Sequence, residues 1–150
     1  MGKKRIIKKT EEEVLKESDN IQGAVKKVAG KSKGGTINRV GIYIQATYNN
    51  IIITAANERG DVIASSSSGA LGFKGAKKAT PFASSKVAEA VNEKLSRFNF
   101  SAVDIYVKGV GSGRDSAIRF FANRGFDILS IKDITPIPHN GCRPRKPRRV

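Results

Sequence analysis

The residues first raise the prospect of anion-binding chemistry. Two glycine-rich stretches, Gly69 to Gly75 and Gly109 to Arg114, each stand before a segment of helical periodicity. The first four N–H groups of a helix have no internal partner, and glycine lets an anion approach the backbone closely. Lys74, Lys77 and Lys78 decorate the first loop, and Arg114 follows the glycines of the second. The plainer reading of both is that glycine merely permits a tight turn. A third cationic stretch closes the chain. Thr135 to Val150 holds four of the five prolines, together with Arg143, Arg145, Lys146, Arg148 and Arg149 and no acid among them. Proline bars this strip from a helix or a central strand and lowers the entropy lost on docking. Such a strip suits a polyanion; a solvated tail is the alternative.

The sequence narrows the choice of anion. Gly109-Val-Gly111-Ser-Gly113 after a strand superficially follows a dinucleotide-binding layout, but Arg114 and Ser116 stand where that fingerprint needs glycine or alanine. No Gly-Lys-Ser/Thr ending marks a P-loop. A two-metal nuclease needs clustered carboxylates, typically with one on the first strand, yet residues 40–57 contain no Asp or Glu. Asp104, Asp115, Asp127 and Asp133 are scattered and read as surface or capping residues. His139 and Cys142 are the only histidine and cysteine, too few for a tetrahedral zinc site, and no carboxylate nearby in sequence orients them as a nucleophile pair. The expectation is a binding protein without catalysis, metal or cofactor.

The charge distribution points the same way. The chain has 150 residues, 39% hydrophobic and 27% charged, which fits one domain with a real core. Its net charge is +15. Residues 1–39 hold eleven Lys/Arg against five Asp/Glu, residues 143–150 hold five against none, and residues 40–142 hold twelve against eight. Basic arms therefore flank a nearly ordinary body, the pattern expected for nucleic acid, where neutralised phosphates release counterions. An anionic membrane is the rival partner, but no apolar run approaches a span, no secretory h-region is present, and Ile6 breaks a myristoylation pattern. Glu11, Glu12 and Glu13 argue against a transit peptide, and a single cysteine fits a reducing compartment.

Periodicity supplies the elements that position these groups. Thr10 to Glu13 is a capping-box pattern, so a short helix near 11–17 is expected, followed by a Lys/Gly-rich linker. Val40, Ile42, Ile44 and Ala46 alternate with Gly41, Tyr43, Gln45 and Thr47, as in a half-buried strand. Ile51–Ala56 and Val62–Ser66 follow across the turn signals Asn49-Asn50 and Asn57–Gly60, which predicts an antiparallel meander. Thr80 as N-cap with Pro81 behind it starts a helix running to about residue 97, with Val87, Val91, Leu95 and Phe98 inward. Val103–Lys108 is a strand. Ser116–Asn123 is a helix with Ile118, Phe121 and Ala122 inward and Gly125 at its end, and Phe126–Lys132 is the last strand. The order is βββαβαβ in an α/β domain. Phe82, Val87, Leu95, Phe98 and Phe121 are assigned to the core, while Phe73 suits either packing or stacking on a base.

Several segments together resemble one family. Ala46–Asn50, Gly72–Gly75, Lys78–Ala83, Val107–Gly109 with Gly113-Arg114, and above all Asp133–Pro144 look like the eleventh protein of the small ribosomal subunit, in its bacterial and organellar form. The likeness covers roughly residues 38–150. It implies a ribonuclease-H-like three-layer core with a mixed sheet, bounded as a basic extension over 1–38, a core domain over 39–134 and a tail over 135–150. It also implies a cytoplasmic, ribosome-bound, non-enzymatic protein. Its partners would be central-domain ribosomal RNA on the platform, neighbouring platform and head proteins, and messenger RNA near the exit site; a free regulatory RNA-binding protein is the alternative. The second loop departs from the family's Lys-Gly-Pro-Gly-Pro-Gly-Arg, since Val110 and Ser112 replace the prolines and predict a less preorganised loop. Ala76 replaces a hydroxyl residue.

Expected phosphate contacts are Arg143, Arg145, Lys146, Arg148 and Arg149 on one segment, Lys74, Lys77 and Lys78 on a second, and Arg114 and Arg119 on a third. Asn49, Asn50, His139 and Asn140 are candidates to read unpaired bases or 2′-hydroxyls. For Asn49 and Asn50 the competing role is a turn; for Arg119 it is a solvated helix face. Asn140-Gly141 is also a potential isoaspartate site, with an unmodified turn as the alternative.

Overall fold

The computed structural model describes residues 38–143, 145 and 146. The expected helix near 11–17, Arg148 and Arg149 lie outside the described residues. Eight elements follow in order: β1 (Arg39–Ala46), β2 (Ile51–Asn57), β3 (Val62–Ser67), a 3₁₀ turn (Gly75–Ala79), α1 (Pro81–Leu95), β4 (Ala102–Lys108), α2 (Arg114–Asn123) and β5 (Ile128–Asp133). The strands form one mixed sheet in the order β3-β2-β1-β4-β5. The meander pairs antiparallel, with Ile44 opposite Ile53 and Thr54 opposite Ser65. The two strand–helix crossovers set β4 parallel to β1 and β5 parallel to β4. This is the expected α/β order.

The alternation in β1 buries Val40, Ile42, Ile44 and Ala46 against the helices and turns Tyr43 and Gln45 outward. Among the described residues both helices lie on that one face. α1 covers β2 and β3, α2 packs on α1 and reaches β1, and one core joins Val87, Val91 and Leu95 to Phe121, Ile105 and Val107. Sheet and helices thus make the α/β body with a mixed five-stranded sheet that the resemblance implied. The polar outward positions of β1 leave the opposite face of the sheet open among the described residues.

Both helix signals are realised, with local corrections. The Thr80 hydroxyl accepts from the Ala83 N–H at 3.3 Å, and Pro81 is the first helical residue. Gly125 follows the cap of α2 at φ 77°. α1 ends at Leu95, and Phe98 lies beyond it, half-buried in a turn rather than in the core. Phe82 is 61% exposed, whereas Phe73 is 8% exposed and meets it edge-to-face at 6.1 Å. The inward line of α1 runs through Ala83, Val87, Val91 and Leu95, so the side chain one position earlier points outward. α2 begins two residues before the expected start. Ala117 and Phe121 are its buried residues, Ile118 is half-buried, and Ala122 is exposed.

Candidate nucleic-acid interface

The three parallel strands β1, β4 and β5 end at Ala46, Lys108 and Asp133, so their carboxyl ends share one edge of the sheet. The turn 47–50, the loop 109–113 and the residues leading into the tail all leave from that edge. In an open α/β sheet this is where connecting loops gather and ligands bind.

The second glycine loop is built by packing. A Cβ on Gly109 would lie 2.1 Å from the Ala46 carbonyl oxygen, on Gly111 2.5 Å from that of Thr47, and on Gly113 2.2 Å from Ile51 Cδ1. These glycines bring the loop backbone onto β1, the 47–50 turn and β2. Their open sides are filled by protein, which favours the close-packing reading over free approach of an anion. The Gly111 N–H donates to the Ala46 carbonyl at 3.1 Å. Ser112 Oγ donates to the Ala79 carbonyl at 2.9 Å, tying this loop to the 3₁₀ turn of the first. Ser84 Oγ, fully buried, donates to the Gly113 carbonyl at 2.6 Å. The loop lacks its two prolines yet is held at both ends and in the middle.

Arg114 belongs to the same brace. It donates to the Gly109 carbonyl at 3.1 Å and to Asp133 Oδ2 at 2.6 Å. The Asp133 carboxylate also accepts the Thr135 hydroxyl and backbone N–H at 2.6 and 2.9 Å. The Thr135 hydroxyl in turn accepts from the Gly109 N–H at 3.0 Å. The Thr135 bonds, with the Arg114 pair, hold Asp133 at a pKa of about 2. The root of the tail is thereby fixed to the glycine loop.

The 47–50 turn is closed by the Thr47 hydroxyl, which accepts the Asn50 N–H at 3.0 Å. Asn50 Oδ1 accepts from Ser68 Oγ at 2.6 Å, so this side chain links the turn to the end of β3. Asn49 is exposed beside it, as is Tyr48 at the tip. Gly72 and Gly75, at φ 87° and 59°, shape the first loop. Lys74 and Lys77 are exposed there, and Lys78 is half-buried with Lys77 in the last turn of the 3₁₀ segment. Arg119 is exposed on α2. His139, Asn140, Arg143, Arg145 and Lys146 are all exposed, and Asn140 is the one non-glycine residue with positive φ, 50°, among the described residues.

A family model described as "Ribosomal protein S11" matches residues 41–149. The chain belongs to the ribosomal protein S11 family. The small ribosomal subunit protein uS11 of Treponema pallidum (strain Nichols) is 55% identical over 109 residues, covering 73% of this chain and 86% of its own length. Protein uS11c of Trieres chinensis is 52% identical over 121 residues, 80% and 92% of the two chains. The uS11 of Solibacter usitatus is 45% identical over 128 residues, 85% and 95%. The family match encloses both glycine loops and the tail as far as Arg149.

Sequence reasoning missed three groups of this S11 chain. Lys108 ends β4 exposed at the same edge, where its lysine ahead of a glycine loop was a usable signal. Tyr43 and Tyr106 stack with ring centroids 4.8 Å apart, but their juxtaposition depends on the β1–β4 register, which periodicity does not provide. Asp104, expected at the surface or in a cap, is buried. It accepts from Arg39 through both oxygens and from Ser130 Oγ at 2.6 Å, which lowers its pKa, chiefly through Arg39.

Proposed function

We propose that this chain is a structural constituent of the small ribosomal subunit that binds central-domain ribosomal RNA on the platform, near the messenger RNA exit path. It supports subunit assembly and translation by binding alone, with neighbouring platform and head proteins as partners. The observation that carries this reading is the convergence of the 47–50 turn, the braced glycine loop and the root of the basic tail on one edge of a sheet in an S11-family chain. The edge acts as a rigid mount that sets where the cations go. Residues 1–38 serve as a basic extension, 39–134 as the core and 135–150 as the tail.

Arg143, Arg145 and Lys146, with Arg148 and Arg149, contact phosphates in narrow RNA spaces. Lys74, Lys77 and Lys78 clamp a second backbone segment, and Arg119 a third, while Arg114 orients the loop between them. Asn49, His139 and Asn140 hydrogen-bond to bases or 2′-hydroxyls in unpaired regions, which proteins read preferentially in RNA. Asn50 holds its turn in register. Asn140 is also a site for isoaspartate formation; only intact asparagine in peptide maps of aged protein would dismiss that.

Salt titration of RNA binding tests the reading. The log–log slope against salt is expected to be steep, about −0.7 to −0.9 per phosphate contact, and deletion of residues 143–150 should flatten it by several contacts' worth. An unchanged slope would mean that the tail stays in solvent and that the mount serves something else.

A further inference from the structure

The face of the sheet turned away from the helices carries a row of side chains that the loop and tail contacts leave unused. Strand register places Thr54 beside Tyr43, Tyr43 beside Tyr106, and Tyr106 beside Lys132, across four strands. The two rings are nearly parallel, 12° between planes. Lys132 Nζ stands 5.9 Å from the Tyr106 centroid, on the side away from Tyr43. Both rings lean over Gly41, where a Cβ would meet Tyr43 at 3.1 Å and Tyr106 at 3.5 Å. Glycine at this position thus lets the rings lie back along the sheet. The outer ring face of Tyr43 looks towards the small side chain of Thr54, and Tyr43 is 40% exposed.

Beside the rings, Arg39 is oriented by two hydrogen bonds to Asp104. A guanidinium has five N–H donors, so Arg39 keeps three for an incoming group. Asn57 and Glu58 rim the same depression, which Arg39, Tyr43, Asp104, Tyr106 and Lys132 line. Aromatic faces, an oriented planar cation, a second cation and acceptors at the rim are the parts that a sheet uses to stack an unpaired base. The Asp104 charge is already matched by Arg39. Glu58 at the rim is placed to accept from an exocyclic amine, while the Asn57 side chain is held by the turn that follows β2. A protein partner would need a larger apolar centre than this face has, since beyond the tyrosines strand register places on it, among the described residues, the exposed large hydrophobic side chains Ile52 and Val62, on β2 and β3.

We propose that this open face is a stacking platform for one unpaired nucleotide of RNA, with the base on the free face of Tyr43, its adjoining phosphate on Arg39, and a phosphate of the next nucleotide along the strand on Lys132. It takes from the proposed ribosomal function only that the ligand is RNA, and it uses none of the loop or tail residues.

The chain has three tyrosines and no tryptophan, so in a Tyr48→Phe background the emission comes from Tyr43 and Tyr106 alone. The full-length protein is titrated with a short oligoadenylate and with an RNA duplex of equal length, in high salt to weaken pure phosphate binding. The oligoadenylate should quench the tyrosine emission and the duplex should not. Affinity, read independently by filter binding, should fall about 5- to 150-fold in Tyr43→Leu and be retained in Tyr43→Phe. Quenching by the duplex to the same extent, or Tyr43→Leu binding as tightly as the parent, overturns the platform. Lys132→Gln sits on an edge strand and keeps the test valid if Tyr43→Leu fails to fold. It should reduce the salt slope for oligoadenylate by about 0.7, and an unchanged slope overturns the proposal. A triple Arg143, Arg145 and Lys146→Ala variant should still show quenching. If that variant alone loses the oligoadenylate, the platform is wrong and the tail reading stands; if Tyr43→Leu alone loses it, the platform stands, and the tail reading is decided separately by the salt slope of the 143–150 deletion.

Discussion

Gly109 and Gly72 both have positive φ, 97° and 87°, yet their replacement should have different consequences. At Gly72 nothing lies within 4 Å of an added Cβ, so alanine meets only backbone strain, about 1–2 kcal/mol. At Gly109 the added carbon also collides with the Ala46 carbonyl, and the cost should rise to about 3–5 kcal/mol. Urea denaturation of the two variants checks the difference. Asp133 gives a pH dependence of definite sign. Its folded pKa of about 2 lies below the usual value of about 3.9, so its contribution is present above about pH 4 and lost as pH falls through about 2. Asp133→Asn should lower the Tm at pH 7, and the deficit should shrink as both proteins are taken towards pH 2. At this scale the sequence was legible where local chemistry decides, as at Thr80 and Gly125. It was misleading where rotation about an element decides. Phe82 lies one residue before the inward line of α1, and Phe73 gains its burial from a loop whose path no periodicity describes. The Arg114–Asp133 pair was not legible, because its two residues are distant in sequence.

α1 owes its start to one hydroxyl and one proline, so Thr80→Ala should cost about 1 kcal/mol, while Phe121→Ala in α2 should cost about 3–5 kcal/mol through a cavity at the junction of both helices and β1. Equilibrium denaturation separates these values readily. The strands were legible from alternation in β1 and from the turn signals at Asn49-Asn50 and Gly60. The covered face was legible too, since the polar positions of β1 already indicated that its other side faces away from the core. Register was not legible. The pairing of Gly41 with Asp104 and of Tyr43 with Tyr106 is created by the crossover through α1, and this brings the tyrosine pair and the Arg39–Asp104 pair onto one face.

For the whole molecule, charge and architecture divide the work. The body places β1, β4 and β5 so that loops and tail root share an edge, and most of the +15 net charge lies in the terminal segments. The tail root is held by Asp133, Thr135 and Gly109, so cations beyond Arg143 are delivered from a fixed point instead of from a free end. Weakening that anchor should therefore lower RNA affinity with no phosphate contact removed. Thr135→Val is expected to weaken binding several-fold at constant salt slope, as read by filter binding across a salt series. The central claim is membership of a working small subunit, and the most direct measurement is sedimentation of cell extract after a high-salt wash. The chain is expected to stay with the small-subunit peak in proportion to its ribosomal RNA. Recovery of intact small subunits without it, and of the chain at the top of the gradient, would contradict that membership.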